Sequence, residues 1–301
     1  MSTSSSAKLL ADFIQSARPL IEQAMDKAVP SAKTRPQVLH KAMRHSLFAG
    51  GKRLRPLLVL AAAQSCGGDI ESALPLAVAT ECLHTFSLIH DDLPCMDDDD
   101  LRRGVPTCHV VFGEAVALLA GDALQALAFE CCANHPGTPR HSVASMVRDL
   151  AQAAGSLKLV GGQVLDMEAE GRESTSHAQL KEIHLGKTSA LLTTSLRLGA
   201  MSANASPAKL AAITDYGHNL GLAFQVVDDI LDVTQSSEVL GKTAGKDVQA
   251  GKATYPAILG LEKARREANR LTRLSLAALA PLGKKSALLE AFAGKMLARE
   301  S

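Results

Sequence analysis

Two acidic groupings carry the residue types and spacing for chemistry. The first is Asp91-Asp92-Leu93-Pro94-Cys95-Met96-Asp97, extended by Asp98, Asp99 and Asp100 and followed by Arg102 and Arg103, and it ends an otherwise apolar segment. The second, Asp228-Asp229-Ile230-Leu231-Asp232, lies inside an apolar segment that begins Gly221-Leu222-Ala223-Phe224-Gln225-Val226-Val227. At about 100° per residue, Asp228 and Asp232 stand about 40° apart on one helix face, with Asp229 beside them and Gln225 one turn earlier. Carboxylates gathered in an apolar setting are destabilised by desolvation and mutual repulsion unless a cation joins them. On an ideal helix Asp97 would sit about 240° from Asp91, so the two share a face only if Leu93-Pro94 breaks the regular turn. A kink or bulge is expected there.

Carboxylates without attendant His or Cys suit a hard cation such as Mg²⁺, which keeps waters and bridges to phosphate oxygens. The implied ligand is a diphosphate, and a diphosphate needs protein cations as well. They occur as Gly50-Gly51-Lys52-Arg53-Leu54-Arg55-Pro56, Arg102-Arg103, Gly186-Lys187-Thr188, and a loop running from Gly241-Lys242 to Lys252. The planar fork of arginine matches two phosphate oxygens, and flanking glycines let backbone amides approach. Gly186-Lys187-Thr188 ends like a nucleotide phosphate loop, but it lacks the upstream glycines and falls within a helical segment, which argues against a nucleotide site. His84 precedes Asp91 by seven residues, about 10 Å along one helix face, and places a polar donor beside the acidic rim.

Long helices must position these groups. Of 301 residues, 47% are apolar and 21% charged, which is enough for a large buried core. Lys plus Arg number 32 against 31 Asp plus Glu, so no global field exists to hold nucleic acid or an anionic membrane. Seven Phe, two Tyr and no Trp, beside abundant Ala, Leu and Val, favour close helix packing over a β-sandwich. The six cysteines show neither a CxxC pair nor zinc-spaced histidines and read as reduced thiols in the cytoplasm. The Ser-rich opening lacks an apolar signal region, and no run reaches the ~20 uninterrupted apolar residues of a membrane span. Glycine and proline punctuation predicts helices near 7–28, 35–49, 54–66, 70–92, 110–133, 142–169, 176–199, 207–234, 255–280 and 284–299. The expected architecture is one all-α domain over residues 1–301, a large bundle with a short flexible start to about residue 7. Segments 110–132 and 180–198, apolar on nearly every face, are expected deep inside it.

In this order the pieces resemble the trans-prenyl diphosphate synthases, most closely the bacterial farnesyl diphosphate synthases, from about residue 30 to 297. The resemblance rests on GGKRLRP at 50–56, the two aspartate-rich motifs, GQVLD at 162–166, GKT at 186–188, FQVVDD at 224–229 and GKATYP at 251–256. It implies an isoprenoid-synthase bundle around a central cavity. Lys52, Arg55, His84 and Arg103 would bind isopentenyl diphosphate. Arg102, Lys187, Thr188, Gln225, Lys242 and Lys252 would surround the allylic diphosphate, and Gln163 and Asp166 would line the cavity. Asp91, Asp92, Asp97, Asp228, Asp229 and Asp232 would hold three Mg²⁺, or Mn²⁺, in the closed complex. The allylic carbon–oxygen bond would ionise, the π bond of isopentenyl diphosphate would attack, and the released diphosphate would take the proton, with Thr188 and Gln225 pointing dipoles at the cation. Asp91, Asp92, Asp97, Lys187, Thr188, Gln225 and Asp228 are thus the expected catalytic set. Phe86, five residues or about 7.5 Å before Asp91, would close the product tunnel at C15, with the smaller Ser87 beside it. A homodimer is expected. The alternatives are a geranyl or geranylgeranyl diphosphate synthase, a catalytically silent partner subunit of a longer-chain synthase, and a terpene cyclase, which shares a lone DDxxD.

Overall fold

The computed structural model describes residues 3–170, 175–234 and 253–297, so Lys242 and Lys252 lie outside the described residues. The described chain is a helical bundle: α1 Thr3–Ala28, α2 Gln37–Leu47, α3 Leu54–Cys66, α4 Ile70–Asp91, α5 Cys108–Phe112, α6 Glu114–Ala133, α7 Val143–Ala154, α8 Leu159–Ala169, α9 His177–His184, α10 Ala190–Ser202, α11 Pro207–Thr234, α12 Tyr255–Leu259, α13 Leu261–Ala278 and α14 Ala287–Leu297. A short antiparallel ribbon pairs β1, Leu101–Arg102, with β2, Val105–Pro106. The sequence reading contained no strand. Side-chain caps start several helices: Asp69 accepts from the Ser72 N–H, and Ser176 and Gln179 form a reciprocal capping box.

Four expected helices are divided, and α1 begins early. Gly113, at φ 81°, separates α5 from α6, and Gly260, at φ 79°, separates α12 from α13. These left-handed backbone angles are open to glycine and strained for a side chain. The expected 142–169 helix breaks after Gly155, and 176–199 is interrupted by a π-helical turn, Leu185–Ser189. The chain is helical from Thr3, and α1 runs through the Ser-rich opening.

α4 is the central element, packed on α3, α6 and α10, and its residues from Leu76 to Leu83 are all buried. α10 is buried almost throughout, as its composition suggested. α6 differs from expectation: Ala117, Ala120, Leu124 and Ala128 face the core, while Leu118 and Leu119 stay 46% and 56% exposed. Uniform apolarity therefore marks a helix with one face on the core and one apolar face outward. By length and composition alone, α4 and α6 would each be able to cross a membrane, although Glu81 interrupts the one and Asp122 the other; α4 is mostly buried within the bundle. A second, smaller core forms where the C-terminal half of α11 meets α12 and α13, through Val226, Ile230, Tyr255 and Leu271.

Candidate active site

A cavity of about 480 Å³ opens beside the C-terminal end of α4. Arg55 enters from α3, His84, Phe86, Ser87 and Asp91 from α4, Gln163 from α8, and Lys187 and Thr188 from the π-helical turn. Eight residues singled out from the sequence thus line one cavity. Leu159, Val160, Val164 and Met167 of α8 make one side apolar, with Leu118, Cys95 and Met96 completing it. These lining residues were missed, although Val160, Val164 and Met167 recur at the spacing of one helix face.

α4 ends at Asp91 instead of kinking. The Asp97 N–H donates to the Asp91 carbonyl at 2.8 Å and the Asp98 N–H to the Leu93 carbonyl at 3.2 Å, so the chain doubles back at Leu93-Pro94. That turn returns Asp97 toward Asp91, as their sharing a site requires. Burial pushes the Asp91 carboxyl up to about 6. Lys187 is the strongest influence in the opposite direction, and the neighbouring charges of Asp97 and Asp92 add to the rise.

Asp92 does not join this group. It is 4% exposed and accepts from Arg102 Nε at 2.7 Å and from Arg102 Nη2, which also reaches Asp99 at 3.2 Å. Asp92 and Arg102, expected as a metal ligand and a diphosphate cation, are thus paired with each other. They line a small separate cleft with Arg103. Arg103 Nη1 donates to the Gly50 carbonyl and its guanidinium packs against Gly51. Lys52 is exposed on the same loop.

Arg55 and His84 form the anion-attracting end. Burial pulls the Arg55 guanidinium down to about 10, against the pull of Glu81, and its Nε is buried without a hydrogen-bond partner among the described residues. Burial, then Arg55 and Arg103, hold the His84 imidazole well below its ordinary value. A neutral imidazole among guanidiniums is a receptor for a dianion. Arg53, counted in the sequence among the cations of the Gly50–Pro56 cluster, is buried and ties Glu22 and Glu81 at 2.7 and 2.9 Å, fixing the start of α3.

The π-helical turn is held from both sides. Lys187 Nζ donates to Asp166 Oδ2 at 2.6 Å, and Thr188 Oγ1 donates to Gln225 Oε1 at 3.1 Å. Gly162 lets α8 approach: an added Cβ there would lie 2.3 Å from the Lys187 nitrogen. Gln225 Nε2 in turn donates to Asp229 Oδ1 at 3.0 Å, and the Tyr255 N–H donates to Asp229 Oδ2 at 3.0 Å. Asp229, 3% exposed and expected as a metal ligand, is therefore turned inward onto protein donors. His184 Nε2 lies 3.6 Å from the same oxygen, its ring stacked on Tyr255.

The fit to a divalent cation divides along the same lines. Asp232 is 3% exposed, and neither carboxylate oxygen has a hydrogen-bond partner among the described residues. A buried carboxylate left so is costly and suits a cation. Asp91 and Asp97 offer further hard oxygens, and Asp228 is half-buried one turn before Asp232. Among the described residues no group of three potential ligands is already assembled to hold an ion. The donor chemistry fits Mg²⁺, with the carboxylates on separate elements, the end of α4 with its following turn and α11; of them Asp91 lines the cavity.

Comparison with known proteins is consistent across sequence and structure. The family model described as polyprenyl synthetase matches residues 36–290. The chain is 51% identical over 266 residues to the large subunit 1 of a heterodimeric geranylgeranyl pyrophosphate synthase from Arabidopsis thaliana, covering 87% of this chain and 71% of that one. It is 44% identical over 291 residues to a dimethylallyltranstransferase from Fischerella ambigua, covering 96% and 84%. An FPP/GFPP synthase structure from Zymomonas mobilis superposes with a TM-score of 0.86 at 36% identity, covering 97% and 99%.

Proposed function

The chain belongs to the polyprenyl synthetase family and is a prenyltransferase that elongates prenyl chains, and from that premise we propose that it condenses isopentenyl diphosphate head to tail with dimethylallyl and geranyl diphosphate to give farnesyl diphosphate. The observation that carries this reading is a cavity that brings together Arg55 and His84, the Asp91 carboxylate and an apolar wall, and in which Phe86 is 7% exposed.

Each group has a role that follows from its placement. Arg55 and His84 hold the diphosphate of isopentenyl diphosphate, the imidazole as a neutral donor. Lys187, fixed by Asp166, faces the allylic diphosphate and offsets its charge. Asp91, Asp97, Asp228 and Asp232 would hold Mg²⁺, which when bound stabilises the charge of a departing diphosphate. Thr188 and Gln225 align polar groups beside the reacting carbons. The apolar side chains of α8 keep water from the cationic centre. After carbon–carbon bond formation the proton leaves with the released diphosphate.

Phe86 supports the C15 product because it stands about 7.5 Å before Asp91 on α4 and lines the cavity. The second reading is a C20 product, favoured by the likeness to geranylgeranyl synthases and by the small Ser87 next to Phe86. We also propose a homodimer through the outward apolar face of α6, with Leu118 and Leu119 at its centre; sedimentation velocity reads this directly. The six free thiols support a cytoplasmic setting.

The test is incubation with labelled isopentenyl diphosphate and each allylic starter, with and without chelator, followed by product chromatography. Chelator-sensitive farnesyl product is expected. A C20 product selects the second reading. Failure to incorporate label by the chain alone would overturn both and favour a silent subunit, and a cyclic hydrocarbon formed without isopentenyl diphosphate would identify a cyclase.

A further inference from the structure

Both carboxylate oxygens of Asp229 face protein donors in the layer that supports the cavity. Oδ1 accepts from Gln225 Nε2, and Oδ2 accepts from the rigid backbone N–H of Tyr255, with His184 close beside it. An ionised carboxylate only accepts, whereas a side-chain amide has one donating and one accepting end. Asp229 therefore dictates which way round the Gln225 amide stands. The inverted amide would set its oxygen against the carboxylate in a buried site, an arrangement strongly disfavoured at low local dielectric.

Orientation at Gln225 determines orientation at Thr188. With the Gln225 oxygen facing it, the Thr188 hydroxyl commits its single proton to that oxygen at 3.1 Å. Only lone pairs then remain on Thr188, which lines the cavity. We propose that Asp229 is a positioning residue that acts through Gln225 to hold the Thr188 hydroxyl with its negative end toward the reaction space, where positive charge develops on the allylic carbons. This rests on the prenyltransferase reading and gives Asp229 a role other than metal ligation. Stacking of His184 on Tyr255, with centroids 5.6 Å apart and planes at 15°, holds the far side of the relay.

The substitution Asp229→Asn tests it. An asparagine that keeps its oxygen on the Tyr255 N–H turns its NH₂ toward Gln225, inverts that amide, and makes the Thr188 proton point into the cavity. The expected result is a fall in kcat of about 100-fold, with KM for both substrates within about threefold. The melting temperature without metal and the binding of Mn²⁺ followed by electron paramagnetic resonance should match the parent protein. The double variant Asp229→Asn/Gln225→Glu presents a carboxylate that accepts both from the introduced amide and from the Thr188 hydroxyl, and should recover at least about tenfold of the lost kcat. Unchanged kcat in Asp229→Asn, loss of Mn²⁺ binding, a misfolded single variant that the double variant does not repair, or a double variant no better than the single would each overturn the orientation role. Absence of prenyl product from the parent protein would instead overturn the underlying reading, and the proposal with it.

Discussion

The ring of His90 meets the ring of Phe86 edge to face, centroids 4.8 Å apart and planes at 75°. His90 Nε2 also lies 3.0 Å from the Leu118 carbonyl of α6, and Gly121 leaves it room, since a Cβ there would stand 2.2 Å away. Phe86 is thus braced by a neighbour that is itself tied to the next helix. Phe86→Ala should lengthen the product toward C20, read by reverse-phase chromatography of the dephosphorylated alcohols. His90→Ala should shift the distribution in the same direction to a smaller extent, because Phe86 then turns aside. An unchanged spectrum for Phe86→Ala removes it as the floor.

The contact of Gly162 with the Lys187 backbone links packing to turnover. A methyl group at this position meets backbone at 2.3 Å, so α8 and the π-helical turn must separate. Gly162→Ala should cost about 1–3 kcal/mol of stability and lower the melting temperature by several degrees. Turnover should fall more steeply than substrate affinity, since Lys187 and Thr188 move together. Parent-like melting and kinetics would show that the two elements adjust freely.

The pH dependence at His84 has a definite sign. Its folded-state pKa is depressed, chiefly by burial and then by Arg55, below the ordinary value of about 6.5. As pH falls below that value the unfolded chain takes up the proton first, so the native state loses stability. His84→Gln should remove this component and flatten the decline in melting temperature between about pH 7 and about pH 5. Pyrophosphate, by favouring the protonated ring, should restore stability to the parent protein more than to the variant at the acid end of that range. Parallel pH profiles would refute a buried neutral imidazole.

At the second aspartate motif, Asp228→Ala should reduce turnover about 10³-fold while the far-ultraviolet circular dichroism stays unchanged. Mg²⁺ binding to the native state raises the melting temperature by mass action. That rise should be smaller in Asp228→Ala and in Asp232→Asn, the latter because its buried, unpartnered oxygens are the ones a cation would relieve. Near-normal turnover of Asp228→Ala would remove it from the metal site.

The polar side of the cavity was legible in the sequence because its residues come in local clusters, whereas the apolar side was not. Arg55, His84, Phe86, Asp91, Lys187 and Thr188 each follow from a motif or a helical phase, and they do meet. The all-α architecture was equally readable from periodicity. What remained hidden was pairing across distant segments. Asp92 and Arg102 look like a ligand and a cation until the ribbon at residues 101–106 folds one onto the other. Asp229 sits beside Asp228 in sequence, yet α11 points it toward Tyr255, 26 residues away. The apolar composition of α6 carried no mark distinguishing its core face from its outward face; Leu118 is as apolar as the buried Ala117 and differs in the direction it faces.

The wide turn at Leu185–Ser189 means that residue count, as well as residue identity, encodes the position of Lys187 and Thr188. A π-turn holds one more residue than the helix around it needs. Deleting a single residue there would let α9 run straight into α10 as one regular helix, with the two flanks close to their present phase. The repaired helix would gain regular hydrogen bonds, while the lysine and threonine would swing away from Asp166 and Gln225. Loop grafts and ancestral reconstructions of this chain must therefore preserve the length of that turn, or they will yield a sturdier protein with no reaction to perform.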